Sequence, residues 1–404
     1  MKDSRKRPTN SAPSSGLPSG LSSGLSSGPI SGPISVPIPV SIPPTIAANL
    51  QTRYGIEHVV PVEPGMSGAS VYHCQSTMGQ RYALKHWPTG TSQTRIAEVH
   101  HVMSVVRQGG CEWVPEIFRL DDSSPLATNQ STAENGSWEL SQWMPGQPID
   151  RVVSLGCVER GAAAIAQFHA AALRLGGKSQ PPPAAISRLQ RIDELHSMLP
   201  HGLATDPSLR LPPRLAEAVQ NAQLILRENW RGAAERISRW MKQCSQRSMI
   251  TQYVLRDVHR DHVLFEAEQV SGLIDFDAIR IDSPATDLAR WAGSLLALDR
   301  DGPAVVIGDD DERIWEAVLA GFLHGSPSSH RAHAEEWIQV AKHLHAATTW
   351  ISLANWVVWL LVDRRSFPAG EDRVRQRILE WTRLSAQDVS AQGGSAHDVR
   401  RIRD

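Results

Sequence analysis

Two neighbouring segments decide the fold: LRDVHRDHVLF at residues 255–265 and LIDFD at residues 273–277. Short apolar runs at 263–265 and 272–276 predict two strands joined by a tight connection. Such a hairpin brings Asp257 and Asp275 to neighbouring ends of adjacent strands. Either carboxylate alone would suit an ordinary turn or cap. The ordered pattern of both indicates a cleft that holds two acidic groups.

The two segments resemble the catalytic region of aminoglycoside phosphotransferases, choline kinases and protein kinases, where an H-x-D-x-x-x-x-N loop precedes a metal-binding Asp. By position, Asp257 matches the catalytic Asp and Asp275 matches the metal-binding Asp. The segment DSPATDLA at 282–289 resembles the D-P-A-x-D-L-A sequence of the small-molecule kinases. A protein kinase is disfavoured because no A-P-E segment follows Asp275.

The resemblance implies an α+β, bilobal, protein-kinase-like fold with a small sheet-rich N-lobe and a larger, mainly helical C-lobe. It also implies transfer of the γ-phosphate of ATP to a hydroxyl of a small molecule, with Mg²⁺ as the metal and Mn²⁺ as its alternative. Phosphoryl transfer depends on positioned charge. Asp257 would orient the acceptor, and Asp275 would hold the metal against the phosphates.

One position departs from the family pattern, because His262 stands where the family has its metal-binding Asn. Imidazole nitrogen suits softer transition ions better than magnesium. Three interpretations are open. His262 ligates the metal weakly, or it hydrogen-bonds within the loop, or the chain is an impaired pseudokinase that acts as a nucleotide-binding or scaffold protein. The pattern favours an active site with altered metal handling.

Upstream elements are expected to supply the nucleotide site. YALK at 82–85 resembles the family's V-A-I-K, so Lys85 would hold the α- and β-phosphates from a strand. A buried Lys needs an opposite charge, and Glu98 on the following helix is the expected partner. A local pair between Arg95 and Glu98 is the alternative.

Two weaker signals complete the predicted nucleotide site. The turn PGMSGAS at 64–70 is a degenerate phosphate loop in which the backbone at Ser67 and Gly68 would approach the phosphates. The segment WELSQWMPG at 138–146 resembles the hinge between lobes, where backbone groups of Gln142 and Met144 would meet the adenine edge. No Walker A sequence is present, which excludes a P-loop enzyme.

Composition sets the domain boundaries. Residues 1–45 are rich in Ser, Gly and Pro and predict a disordered tail. Strand patterns then place the N-lobe at 46–146, helical patterns place the C-lobe at 147–384, and a polar tail follows at 385–404.

Overall composition excludes several function classes. The net charge of −1 over 404 residues disfavours a nucleic-acid partner. Four scattered cysteines form no CxxC pair, which disfavours a zinc site and fits a reducing compartment. We find neither a signal-peptide core nor a sufficiently apolar span, so no membrane is expected and the cytoplasm is the predicted location. The acceptor stays open among aminoglycosides, amino alcohols, hydroxy amino acids and sugars, and the oligomeric state is unknown.

Overall fold

A computed structural model describes residues 42–63, 68–120, 126–128, 136–149, 154–199, 210–298, 311–367 and 370–392. These residues belong to one unit, Val36–Asp404. Most of the predicted N-terminal tail, Ser67 in the phosphate turn and the end of the predicted C-terminal tail lie outside the described residues.

The N-lobe is built on an antiparallel sheet in the order β1-β2-β3-β6-β4, with β5 also paired to β6. Leu84 and Leu140 face each other across β3 and β6 and are completely buried. Their alternation with polar neighbours follows the two-residue repeat of a strand. The elements are α1 (Pro44–Tyr54), β1 (Ile56–Pro61), β2 (Ser70–Ser76), β3 (Arg81–His86), α2 (Gln93–Gln108), β4 (Ile117–Phe118), β5 (Leu126–Thr128) and β6 (Ser137–Gln142).

Helix α1 has no counterpart in the sequence-based prediction, which expected strands to begin the ordered region. Pro44 occupies its first turn, where the fixed φ of proline suits a helix start. Ile46 and Leu50, one turn apart, are buried in the same cluster as the sheet residues. Gly55 ends the helix in the left-handed region with φ 59°. The helix is therefore stabilised by packing on the sheet.

The C-lobe is mainly helical and carries two small antiparallel sheets, β11-β10-β7 and β12-β9-β8. Helices α3 and α7 approach very closely, since a Cβ on Gly321 would lie 2.0 Å from the carbonyl oxygen of Glu159. The elements are β7 (Gln147–Pro148), α3 (Leu155–Ala172), β8 (Lys178–Gln180), α4 (Pro183–Met198), α5 (Pro213–Ser245), β9 (Met249–Val254), β10 (Val263–Glu266), β11 (Gln269–Leu273), β12 (Arg280–Asp282), α6 (Ala285–Leu296), α7 (Asp311–Gly325), α8 (Ser328–Arg331), α9 (Ala334–Leu361) and α10 (Glu371–Gln392).

This arrangement confirms the predicted α+β, bilobal architecture. The largest hydrophobic cluster contains both α2 residues, such as Ile96, and C-lobe residues, such as Phe168. The hairpin of β10 and β11 follows the loop 255–262. The two lobes are therefore packed together beside the segments that carry the predicted site.

Two C-terminal helices refine the predictions. Helix α9 is long and apolar enough to cross a membrane, but 67% of its most apolar window is buried inside the fold, as in a core helix. Helix α10 continues past the boundary expected at 384/385, to Gln392. Ser385 on this helix is completely buried, and Asp388 accepts a hydrogen bond from the indole of Trp350 at 2.7 Å. Polar composition alone did not reveal that packing.

Candidate active site

Asp287 holds the start of the loop 255–262. Its buried carboxylate accepts hydrogen bonds from the backbone N–H of Leu255 at 2.8 Å and of Arg256 at 2.6 Å. The ring of His169 binds the same carboxylate at 2.8 Å. Arg256 adopts φ 65°, a left-handed conformation that is unfavourable for a side-chain-bearing residue. The two backbone bonds compensate for this strain and fix the residue that precedes Asp257.

Asp257 lies between an arginine and a histidine. The guanidinium of Arg290, on α6, donates to its carboxylate oxygen Oδ1. The ring Nδ1 of His262 lies 2.8 Å from the backbone carbonyl oxygen of Asp257. A carbonyl oxygen can only accept, so Nδ1 of His262 carries a proton in this contact. In the neutral tautomer that donates from Nδ1, Nε2 carries the lone pair that a metal ligand needs.

His262 connects Asp257 to Asp275. Its Nε2 lies 3.5 Å from a carboxylate oxygen of Asp275. The backbone N–H of Ile274 also donates to the carbonyl of His262 at 3.0 Å, which ties the two segments together. Asp275 itself has φ 63°. Left-handed conformations thus occur at Arg256, directly before Asp257, and at Asp275, and such strain is common at functional sites.

His259 completes a small cluster with Asp257 and His262. One potential ligand atom from each of the three lies within 4.8 Å of the others, and all three residues are partly buried. Burial, together with the nearby charges of His262 and Arg290, lowers the pKa of His259 far below its usual range. His259 is therefore a neutral imidazole that can accept hydrogen bonds or bind a metal.

Lys85 faces three carboxylates. Its ammonium forms an ion pair with Asp277, and it lies opposite Glu139 in the ladder between β3 and β6. Burial disfavours the charged amine, but Glu139, Asp277 and Asp275 together hold the pKa of Lys85 above its ordinary value. Lys85 is thus a permanent cation beside the acidic pair 275 and 277.

The structure corrects the expected partner of Lys85. Glu98 binds Arg95 at 2.6 Å, which is the alternative left open by the sequence, and it accepts from the hydroxyl of Tyr253 at 3.2 Å. Arg95 also donates to the backbone carbonyl of Asp277 at 2.8 Å. Within the ranges that the structure describes, Lys85 and Glu98 form no ion pair. The acidic partner instead comes from the LIDFD segment.

Glu139 is the second acidic neighbour of Lys85, and no sequence motif singled it out. Its carboxylate accepts from the indole N–H of Trp87 and contacts Nε2 of His100, both at 2.7 Å. Burial opposes the charge of Glu139, yet the bond to His100 and the charge of Lys85 lower its pKa. The carboxylate is therefore fully engaged with three partners.

The predicted phosphate turn and the predicted hinge differ in how free their backbone groups are. Gly68 has φ 76°, and a Cβ at this position would meet no atom within 4 Å, so the backbone there is open to a ligand. In the hinge, the N–H of Gln142 already donates to Glu116 at 2.8 Å. Among the described residues, the backbone of Met144 makes no hydrogen bond, and Met144 packs against Gly272. Met144 therefore keeps the free backbone groups that an adenine edge requires.

Comparison with protein families identifies the chain. The sequence profile of the phosphotransferase enzyme family, APH, matches residues 58–305, more than half of the chain. The chain belongs to this family. The matched region includes Lys85, Asp257, Asp275 and Asp287. No curated protein sequence matches the chain significantly.

Solved structures of phosphotransferases share the fold. The aminoglycoside phosphotransferase from Alicyclobacillus acidocaldarius subsp. acidocaldarius DSM 446 is 15% identical, with 88% of this chain and 98% of that chain covered and a TM-score of 0.55. A spectinomycin phosphotransferase, solved with ADP and spectinomycin, is 11% identical, with 84% and 96% covered and a TM-score of 0.53. An amicoumacin kinase, solved with AMP-PNP and Ca²⁺, is 12% identical, with 80% and 88% covered and a TM-score of 0.50.

The acidic pair of this phosphotransferase suits a divalent cation. Burial raises the pKa of Asp277 to about 6; Lys85 opposes this rise, while the like charge of Asp275 adds to it. A hard cation between the two carboxylates would relieve that repulsion. Nε2 of His262, 3.5 Å from a carboxylate oxygen of Asp275, offers a nitrogen donor in place of the amide oxygen of the family pattern. The two carboxylates suit Mg²⁺, while the imidazole nitrogen suits a transition ion better.

Proposed function

We propose that this phosphotransferase moves the γ-phosphate of ATP to a hydroxyl of a small molecule in the cytoplasm. The observation that carries the proposal is the grouping of two sets of contacts around the acidic pair 275 and 277. Lys85 pairs with Asp277, and two residues earlier Asp275 lies 3.5 Å from His262, which binds the backbone of Asp257. The four cysteines are buried and unpaired, which fits a reducing compartment.

Lys85 binds the nucleotide phosphates in this proposal. Its ammonium is a fixed cation on a strand, and its present partner, Asp277, is itself pushed towards its neutral form by burial. Phosphate oxygens replace part of that ion pair when the nucleotide enters. The hinge backbone at Met144 contacts the adenine, and the open turn at Gly68 lies against the phosphates. The nucleotide complexes of the spectinomycin phosphotransferase and the amicoumacin kinase support this use of the fold.

Asp275 and Asp277 would hold the metal, with Nε2 of His262 as a third donor. When bound, the cation neutralises charge on the β- and γ-phosphate oxygens. The protonated Nδ1 of His262 keeps its bond to the backbone of Asp257 throughout. His262 thereby fixes the distance between the metal side and the acceptor side of the cleft.

Asp257 orients the acceptor hydroxyl and takes its proton. Its carboxylate oxygen Oδ1 accepts a hydrogen bond from the guanidinium of Arg290. The incoming hydroxyl donates to the remaining carboxylate oxygen, and the oxygen of the acceptor then lies in line with the γ-phosphate. A non-catalytic scaffold is not favoured, because Asp257, Lys85 and the acidic pair 275 and 277 all occur in this chain.

Direct transfer tests the proposal. γ-Labelled ATP is incubated with a panel of hydroxyl compounds, first with Mg²⁺ and then with Mn²⁺, while nucleotide binding is measured separately. We expect label on at least one acceptor. Intact nucleotide binding with no transfer to any acceptor would favour the scaffold instead.

A further inference from the structure

Three arginines from different elements act on one another electrostatically near Asp257. Arg290 on α6 binds the carboxylate of Asp257, and Arg256 directly precedes it in the loop. The Nε of Arg256 lies 3.7 Å from the buried carboxylate of Asp282. Arg188 on α4 donates to the carbonyl of Ala184 at 3.2 Å, and the N–H of the same Ala184 donates to Asp282 at 3.2 Å.

The donors of Arg188 are only partly used. Its Nε donates to the hydroxyl of Thr348 on α9 at 3.0 Å, and its Nη1 binds Ala184. In the part of the chain that the structure describes, Nη2 makes no hydrogen bond. Arg188 thus presents a fixed guanidinium whose Nη2 has donors available to an anion such as a carboxylate or phosphate.

Arg188 is the cation of this group that no carboxylate pairs with. Among the described residues, Arg290 pairs with Asp257 and Arg256 lies 3.7 Å from Asp282, while Arg188 forms no ion pair. Burial lowers the pKa of Arg188 to about 10, where Asp282 opposes the shift and the charges of Arg290 and Arg256 add to it. A bound anion would therefore stabilise the charged form of Arg188.

The charges of Arg188 and Arg290 also act on His345, which lies on α9. Burial lowers the pKa of His345 to about 4; Asp388 opposes the shift, while Arg290 and Arg188 add to it. The imidazole is therefore neutral at physiological pH and adds no positive charge beside the arginines. Its close contact with Gly293 on α6 places it beside the helix that carries Arg290.

The arginine group is separate from the nucleotide side. The strongest charges acting on Asp277 come from Lys85, Asp275 and Glu139. Those acting on Arg188 come from Asp282, Arg290 and Arg256. Asp257 stands between the two groups, since it binds Arg290 through its carboxylate and His262 through its backbone.

We propose that the phosphate acceptor carries an anionic group, a carboxylate or a phosphate ester, which Arg188 binds with help from Arg256 and Arg290. This inference rests on the proposed transfer and names its substrate class. A polycationic aminoglycoside would instead place its ammonium groups against three guanidinium groups, a like-charge arrangement that disfavours binding. The acceptor is thus expected to differ in charge from spectinomycin, which the solved relative binds.

A matched series of three-carbon diols tests the charge preference. Glycerol 3-phosphate, glycerate, glycerol and 3-amino-1,2-propanediol differ chiefly in the charge of one substituent. We expect kcat/KM for the first two to exceed that for the last two by at least about tenfold. Equal or better transfer to the neutral or cationic compound would overturn the anionic acceptor but support the proposed transfer.

Binding to the ADP-loaded protein, measured by calorimetry, separates the two proposals. Arg188→Gln should weaken glycerol 3-phosphate or glycerate binding by roughly tenfold to a hundredfold, and Arg188→Lys should weaken it less. Arg231→Gln is the control, since the side chain of Arg231 is 88% exposed on α5. Equal affinity for the anionic compound in wild type and the three variants would overturn the anion site. A loss of ADP affinity in Arg188→Gln as large as its loss of affinity for the anionic compound would overturn it as well. Arg188-dependent binding without transfer to any hydroxyl would support the anion site and contradict the proposed transfer.

Discussion

Replacing Asp287 by Asn should both destabilise the protein and slow its reaction. In the native chain, one carboxylate oxygen accepts from Arg256, and the other accepts from Leu255 and contacts His169. An amide keeps the size of the side chain, but it turns one of these acceptors into a donor. At least one buried N–H then faces another donor and loses its partner.

The expected loss of stability follows from those bonds. A buried donor left without a partner costs about 1–3 kcal/mol. Asp287 is completely buried, and up to three of its contacts are affected, so we expect a loss of about 2–5 kcal/mol. The free energy of unfolding of a typical domain is only about 5–15 kcal/mol. The substitution therefore removes a large part of the stability without abolishing the fold.

The reaction should slow because Arg256 is released from its left-handed conformation at φ 65°. Asp257 then moves from its position, while Lys85 and the acidic pair stay in place. Denaturant unfolding should give the lower stability, and kinetics should give a lower kcat with nucleotide affinity unchanged. Asp372→Asn is the control, since that side chain is 93% exposed. If Asp287→Asn matched this control in stability and kcat, the bonds to the loop would not have the role described.

Three further changes test other parts of the site and the fold. Asp275→Ala should abolish the gain in nucleotide affinity that Mg²⁺ gives; an unchanged gain would exclude Asp275 as a ligand. His262→Asn should retain activity and shift the ratio of Mg²⁺- to Mn²⁺-supported turnover towards Mg²⁺, and a constant ratio would place His262 away from the ion. Burial, with the charges of His169 and His333, lowers the pKa of His330 to about 4 from 6.5. As pH falls, His330 therefore binds its proton in the unfolded chain before it does so in the folded one, which lowers stability. Between pH 7 and 5 the free energy of unfolding should fall by about 2 kcal/mol more in wild type than in His330→Phe. Equal falls in the two proteins would contradict this.

The fold and the meeting of the segments that carry Asp257 and Asp275 could be predicted from the sequence because they depend on local order. Asp257, Asp275 and Asp287 lie within one loop, the short hairpin after it and the helix that follows. The bond from the backbone N–H of Arg256 to Asp287 belongs to the same stretch of the chain.

Long-range pairing could not be predicted in the same way. Glu139 meets Lys85 only because β6 lies beside β3, a crossover between distant segments. Arg188 comes near Asp282 only through the packing of α4 against the β12 end. Glu98 was a reasonable partner for Lys85 by analogy, but Arg95, one turn before it, reaches it first. Single-sequence patterns carry no signal for the first two pairings, whereas the three-residue spacing of Arg95 and Glu98 on a helix does indicate the third.

The central claim is that Lys85, the acidic pair 275 and 277, and Asp257 act on one triphosphate and one acceptor. Asp257→Ala tests it most directly, with ATP affinity and phosphate transfer measured on the same protein. The account predicts ATP affinity close to wild type and a loss of transfer of about 10²–10⁴-fold. Transfer at the wild-type rate in Asp257→Ala would contradict it.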